Sequence, residues 1–264
     1  MRILMLTSVY KDEFLGNKDT STNIVNSFVK EWKKQGHEVL VIHNSHCYPR
    51  VIHEIPEKLK KSLAARMGFA ISDYDAVKEK EYQDNGVKVF RLPIKKFIPH
   101  SQPSDNVIKR QVNKIVATLK KEKFEPDVIT GHWASPQMEI ISELKTIYHC
   151  KTAVVLHGTG YIESPKFNAE EYLKNIDSLG ARSLSQAKQI KEILKLDKLP
   201  FVCNSGVPDE YLKNYRLNTE KYRNIKTWKI TYVGRLVSYK NIDSTIKALS
   251  EIKDVKWEFN IVGD

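Results

Sequence analysis

The chain reads as an α/β protein built on a parallel sheet, and three observations predict it. Short apolar, β-rich runs alternate with longer amphipathic stretches, the pattern of strands flanked by helices. With 264 residues, 41% of them hydrophobic, the chain is large enough to bury a substantial core. Finally, the polar, basic segment Leu217 to Lys226 resembles an inter-domain linker, and beyond it the same β-α-β grammar starts again.

The elements follow in order. Arg2 to Leu6 is the first strand. Asn23 to Gln35 is a helix with Ile24, Phe28 and Trp32 on one face, closed by Gly36. Glu38 to His43 and Val87 to Leu92 are the next strands, and Asn106 to Lys121 is a helix carrying Val112, Ile115, Val116 and Leu119. Asp127 to Gly131 and Thr152 to Leu156 are strands separated by the helix Pro136 to Tyr148. Ser185 to Leu194 (helix) and Leu199 to Cys203 (strand) complete a first domain expected over residues 1–222. The strand Lys229 to Val233, a helix starting at Asn241 and the strand Trp257 to Val262 begin a second domain over 223–264, which is incomplete in this chain. No repeat of solenoid period and no low-complexity tract is present.

A net charge of +11, carried by 43 Lys and Arg, suits either a lysine-rich surface or an anionic partner. Nucleic acid is a poor fit, because no zinc spacing, helix-turn-helix pattern or aromatic-interleaved RNA motif occurs. A membrane surface or a phosphorylated substrate fits better. Two basic, partly apolar stretches bear on the first. Ile55 to Met67 sets Ile55, Leu59, Leu63 and Met67 at helical spacing among Lys58, Lys60, Lys61 and Arg66, and Ile94 to Pro99 mixes Lys95 and Lys96 with Phe97. The plain reading is a surface helix with its apolar stripe on the core; the alternative is an anionic lipid interface. Cys47, Cys150 and Cys203 are isolated and odd in number, which points to a reducing compartment. With no signal sequence or run of transmembrane length, a cytoplasmic protein is expected, peripheral to the inner membrane face at most.

The segment Ile230 to Asn241 carries the strongest chemical signal. An apolar run ends at Gly234, Arg235 follows at once, and Lys240 lies where a helix begins. Gly234 lets backbone and ligand approach closely, Arg235 can grip phosphate oxygens bidentately, and Lys240 adds a charge beside the positive end of the helix. The combination is a diphosphate clamp. It resembles the Gly-Arg-Leu-x-x-x-Lys-Gly signature of family 4 retaining glycosyltransferases of the GT-B fold, with Asn241 in place of the last glycine.

Other segments extend the resemblance. Gly36-His-Glu-Val-Leu40 is similar to the family's helix stop and buried strand. Pro126 to Trp133 resembles its Pro-Asp-Val-x-x-x-His strand, which places His132 at a strand's carboxyl end, where open α/β sheets bind ligands. Val154 to Gly160 resembles the strand whose His lies beside donor sugar and acceptor hydroxyl; here that residue is His157, with Gly158 and Gly160 in its loop. A His tuned near neutral pH can take a hydroxyl's proton or hydrogen-bond the sugar. Ser205 to Tyr211 is similar to the family's Asn-Gly-Val-Asp-x-x-Phe turn, with Ser205, Pro208 and Tyr211 as substitutions. The paired glycines of the family's first loop reduce here to Gly16, with Lys18, Thr20, Ser21 and Thr22 near the helix start.

The resemblance implies a GT-B-like protein, with a Rossmann-like acceptor domain followed by the start of a Rossmann-like donor domain. It implies sugar transfer from a nucleotide-diphosphate sugar to a hydroxyl of a saccharide or lipid-linked glycan, in cell-surface polysaccharide synthesis. Configuration would be retained, with no metal and no cofactor beyond the donor substrate. It assigns His157, Arg235 and Lys240 to catalysis; Gly16, Gly234, Arg235, Lys240 and Gly263 to the donor; and His132, His157 and Gly158 to the acceptor. The family's paired-glutamate element, which holds the donor sugar, is not reached by Asp264, so residues 1–264 alone are expected to be inactive. Two other readings remain open: a GT-B-fold sugar-nucleotide epimerase, and a non-catalytic module that binds acceptor or membrane.

Overall fold

The structure, a computed structural model, describes residues 1–12, 15, 22–67, 71–96, 102–165, 167–206, 212–213, 226–234 and 236–263. It divides into two compact units, Met1–Gly206 and Val207–Asp264. The expected domain boundary at 222/223 and most of the expected linker lie outside the described residues.

Unit 1 is an eight-stranded sheet in the order β10-β9-β8-β7-β1-β2-β5-β4. Its strands are β1 (Arg2–Thr7), β2 (Glu38–His43), β4 (Lys80–Asp84), β5 (Val87–Arg91), β7 (Val128–His132), β8 (Lys151–Leu156), β9 (Ser178–Ala181) and β10 (Phe201–Val202). The short β3 (His46–Cys47) and β6 (Ile94–Lys95) pair separately. All pairs in the large sheet are parallel except β4 with β5, an antiparallel hairpin at the edge. From β1 the chain winds one way through β2 and β5, then returns to β7 on the other side of β1 and winds outward. The strand order therefore reverses between β1 and β7, the position where such sheets open a ligand crevice at the carboxyl ends.

Side-chain alternation along the strands divides the core into two layers. Ile3, Met5, Val39, Val41, Val87 and Val89 pack on one face with Val25 and Val29 of α1 (Ile24–Lys34). The opposite face, including Leu4, Leu6, Leu40 and Ile42, packs against α5 (Asp105–Lys121), α6 (Gln137–Tyr148) and α8 (Leu184–Leu194). The helix α1 lies where expected, but its buried face is turned by one residue: Val25, Asn26 and Val29 are buried, whereas Ile24, Phe28 and Trp32 are only half-buried. That rotation leaves Phe28 free to reach the carboxyl edge of the sheet. The strands β4 and β9 were not anticipated. Lys80–Asp84 has a single apolar side chain, Tyr82, on its half-buried face and exposed Glu81 and Gln83 on the other, and Ser178–Ala181 has no β-branched residue.

A buried charge cluster ties the chain after β1 to the β4–β5 hairpin. Arg91 and Asp12 are both fully buried and pair at 2.9 Å, Lys80 reaches Asp12 at 2.8 Å, and Arg91 also donates to the Asp75 carbonyl at 3.0 Å. Burial pushes the Asp12 carboxyl up, but hydrogen bonds and charge from Lys80 and Arg91 outweigh it and hold the group below the ordinary carboxylate range. Nearby, Tyr10 donates to Asp84 and Asn26 bonds the Lys11 backbone, so the start of the first loop is fixed from three sides.

The basic helix α3 (Glu57–Met67) departs from the plain expectation of an inward apolar stripe. Leu59 is 54% and Leu63 39% exposed, while Lys60 is 6% exposed and ion-paired with Asp73. The segment 97–101, which contains Phe97, lies outside the described residues. The three cysteines are free.

Unit 2 is a β-α-β arrangement. Its strands β11 (Thr227–Val233) and β12 (Lys256–Val262) pair in parallel over their full lengths, and α9 (Ile242–Glu251) connects them. Each strand is followed by a glycine of positive φ, Gly234 at 156° and Gly263 at 155°. A Cβ on Gly263 would lie 1.8 Å from the Gly234 carbonyl oxygen, so no side chain fits there.

Two substitutions test these contacts. Asp12→Ala leaves the buried Arg91 guanidinium without its carboxylate and is expected to cost unit 1 about 3–5 kcal/mol in urea unfolding; an unchanged midpoint would show that Arg91 is satisfied elsewhere. Gly263→Ala is expected to unfold unit 2 while leaving unit 1 intact, read by hydrogen exchange in β11 and β12. Retained protection there would contradict it.

Candidate active site

The site is built where β1, β2, β7, β8 and β9 end. Parallel pairing sets Leu6 beside Gly131, His132 beside Val155, and Leu156 beside Ala181, so the residues that follow emerge along one edge. Gly131 lets α6 approach this edge. A Cβ there would meet Ile141 Cδ1 at 2.7 Å and Gln137 Cβ at 3.0 Å. The neighbourhood is held by a buried amide network: Gln137 donates to Ser8 Oγ at 2.7 Å, Asn44 donates to Gln137 at 2.7 Å, and Gln111 donates to Asn44 at 2.8 Å. These bonds join the ends of β1 and β2 to α5 and α6 across the reversal in strand order.

The structure brings His132 and His157 together. His132 Nδ1 and His157 Nε2 are 2.9 Å apart, so one ring carries the shared proton and the other accepts it. The indole of Trp133, at a left-handed φ of 69°, stacks on His157 with centroids 4.0 Å apart, and Phe28 lies 5.2 Å from His132. Burial depresses both imidazoles. His132 is held at about 3, with His157 and Arg182 adding to the effect, and His157 at about 4, again helped by Arg182. A ring at about 4 is a weak general base at neutral pH, so the expected choice between proton acceptor and hydrogen-bond partner falls on hydrogen bonding. One nitrogen of each ring lies outside the pair. Where a Cβ of Gly158 or Gly160 would point, the space is open.

Sequence reasoning missed three residues here. His43 at the end of β2 is buried, bonds the Ser8 carbonyl through Nε2 at 3.2 Å, leaves Nδ1 without a partner, and is driven by burial to about 3. Arg182, the residue after β9, stands beside His157 with a buried Nη1 that has no hydrogen-bond partner. Glu139, in the first turn of α6, accepts from Tyr161 Oη at 2.6 Å and Ser135 Oγ at 2.9 Å. Burial raises its carboxyl above the usual range, against the pull of those bonds and of Lys96. Only position could have signalled them, His43 and Arg182 at strand ends and Glu139 in the first turn of α6, since none lies in a spaced motif.

In unit 2, Gly234 and Gly263 back onto one another at the strand ends, joined by the Gly234 amide on the Val262 carbonyl at 2.9 Å. Lys240 closes a 3-10 turn over Ser238–Lys240 and is exposed just before α9. Asn241, standing where the signature has glycine, adopts the left-handed φ of 52° that the position requires, which Asn tolerates better than most residues. A hollow of about 250 Å³ lies alongside, lined by Leu236, Val237, Ser238, Ile242, Asp243 and Ile261. Gly16 and Arg235 lie outside the described residues, as do Lys18, Thr20, Ser21, Pro208 and Tyr211.

Two of the histidines whose pKa burial depresses, His43 and His132, make a pH prediction. Their folded pKa lies below the unfolded value, so the unfolded chain binds more protons between about pH 6.5 and 3 and stability falls as pH drops through that window. His43 and His132 together account for about 3–4 kcal/mol of the loss between pH 7 and pH 5, to which His46 at about 3 and His157 at about 4 add in the same direction. Urea unfolding at the two pH values measures it, and His43→Gln should flatten the dependence. Equal stability at both would show that the rings titrate normally.

No family model matches the chain. It is 25% identical, over an alignment of 266 positions that covers 96% of this chain, to TuaC of Bacillus subtilis (strain 168), a protein assigned by name, provisionally, as a teichuronic acid biosynthesis glycosyltransferase. Among solved structures, an Escherichia coli trehalose-6-phosphate protein bound with UDP-2-fluoro glucose superposes with a TM-score of 0.57 at 10% identity, covering 100% of this chain. The N-terminal domain of a Candida albicans trehalose-6-phosphate phosphatase gives 0.57 at 12% identity over 99% of the chain. The chain spans 63% of the length of the Bacillus relative and 64% of each of these two structures. The fold is GT-B-like α/β, with a mainly parallel central sheet, and along nearly its whole length the sequence is similar to that of a named glycosyltransferase.

Proposed function

We propose that the chain belongs to a glycosyltransferase that moves a sugar from a nucleotide-diphosphate donor to a hydroxyl of a saccharide or lipid-linked glycan. The observation that carries this reading is the neutral His132–His157 pair under Trp133, at the carboxyl edge of a parallel sheet where the strand order reverses. Rings held neutral can bond sugar hydroxyls in either direction, and the flat indole offers apolar surface beside them. Similarity to a protein named for teichuronic acid biosynthesis supports a role in cell-surface polysaccharide synthesis.

In this reading, unit 1 is the acceptor side, with His132, His157 and Gly158 at the acceptor and Gly16 in the first loop beside the donor. Unit 2 opens the donor side, where Gly234 and Gly263 leave the strand ends bare and Arg235 and Lys240 neutralise the departing diphosphate. Fixed cations at a developing negative charge need no reorganisation as it forms. The reaction would retain configuration and need no metal ion. Among the described residues no helix is long and apolar enough to cross a membrane. The exposed Leu59 and Leu63, with exposed Lys58 beside them, support a peripheral contact with the inner membrane face in a cytoplasmic protein.

The clamp is tested by calorimetry with a nucleoside diphosphate. Arg235→Ala and Lys240→Ala are each expected to weaken binding, and each removes about 2–4 kcal/mol of transition-state stabilisation in the active enzyme. Unchanged affinity in both variants would place the donor elsewhere. For the membrane contact, flotation with anionic vesicles at low salt is expected to carry the protein up, and Lys58→Glu with Leu59→Ser to release it; no flotation would return α3 to ordinary surface.

A further inference from the structure

Among the described residues Arg182 is a charge without a counter-charge. It follows the last residue of β9, and the register Leu156 with Ala181 and Val202 with Ala181 sets it between His157 and Cys203 at the carboxyl edge. Its backbone N–H is used, donating to Gln186 Oε1 at 2.6 Å, but its side-chain Nη1 is buried with no hydrogen-bond partner. Among the described residues no carboxylate pairs with it. Its neighbours are imidazoles held neutral and a thiol that burial pushes up, none of which offers negative charge. The helix α8 starts immediately after it, over 11 residues, with Ser183 as the capping oxygen at its start and no acidic residue in its first turn. Guanidinium and helix dipole therefore point the same sign of potential at the same edge.

A guanidinium half out of water, with one donor buried and unpartnered, is costly unless an anion neutralises its charge. We propose that Arg182 binds an oxyanion, a carboxylate or phosphate on the acceptor, beside the hydroxyl that His157 contacts. The proposal rests on the acceptor reading of unit 1 and narrows it to acceptors that carry negative charge. Planar, bidentate donation is what suits Arg to such a group and what Lys reproduces only as a point charge. A bound oxyanion would also cancel the field that Arg182 exerts on the rings of His157 and His132, giving the histidines a direct readout.

The test is a titration of the full chain followed through its imidazole NMR signals, assigned with His157→Gln, using inorganic phosphate in one arm and glucuronate in the other. Sodium chloride at matched ionic strength is the control. Saturable movement of the His157 signals by either probe is expected, with affinity lost by at least about tenfold in Arg182→Gln and partly kept in Arg182→Lys. Whichever probe binds more tightly identifies the oxyanion. Signals that neither probe moves, that chloride moves equally, or that move alike in wild type and Arg182→Gln would overturn the proposal. Should Arg182→Gln fail to fold, the wild-type titration and Arg182→Lys still decide it: unmoved wild-type signals, or equal affinity in Arg182→Lys, count against bidentate binding. Nucleoside-diphosphate calorimetry separates the two ideas. Donor binding with no oxyanion response removes this inference alone, whereas oxyanion binding with no donor binding removes the diphosphate clamp of unit 2 and leaves the oxyanion site standing.

Discussion

Parallel pairing of the strands is the constraint on which the rest of unit 1 depends. A parallel ladder requires every strand to run the same way, so the backbone leaves β1, β2, β7, β8 and β9 at a single edge. Ser8, His43, His132, His157 and Arg182 come from five separate stretches of chain, yet hydrogen-bond register alone sets them along that edge. The helices are then obliged to cover both faces, because a parallel sheet has no wet side. Gly131 shows how far this coupling extends: a missing Cβ in β7 admits α6, and α6 brings Gln137 and Glu139 to the site.

The electrostatics of the edge follow from the same geometry. Strand ends inside a three-layer fold are poor in water, so ionisable groups placed there lose their charge or find a partner. Asp12 and Arg91 pair; His43 and His132 give up their protons; Glu139 keeps its proton more readily than a carboxyl in water. Arg182 can do neither, since a guanidinium does not deprotonate and no carboxylate reaches it among the described residues. Its buried Nη1 is consequently left without a partner. The two halves of the chain handle charge differently: unit 1 buries it within networks, and unit 2 exposes Lys240 on a turn beside bare glycine strand ends.

Elements with strong periodicity were legible. The strand Glu38–His43 and the helices around 105–121 and 184–194 fall within a residue or so of the expected positions, because long apolar-periodic segments state their own burial. The elements missed are those whose stability is borrowed: β4 is polar and exists through its pairing with β5, and the two-residue β3 and β6 exist only through each other. The face of α1 was misjudged by one residue, since Phe28 and Trp32 look like core from composition but the sheet takes the smaller Val25 and Val29. For α3 the inversion is larger. Lys60 goes in, because Asp73 waits for it, and Leu59 stays out.

By itself the sequence determined the fold class, the positions of the principal strands and helices, and the two histidines at strand ends, because each of these depends on local pattern. Asn241 belongs with them: a residue tolerant of left-handed backbone replaces glycine and keeps the turn. Tertiary structure alone decided that His132 and His157 share a proton, that burial and Arg182 hold them neutral, and that Arg182 stands beside His157. Those facts depend on contacts between residues 25 or more positions apart, or on the absence of water, and neither is written in any single stretch of chain.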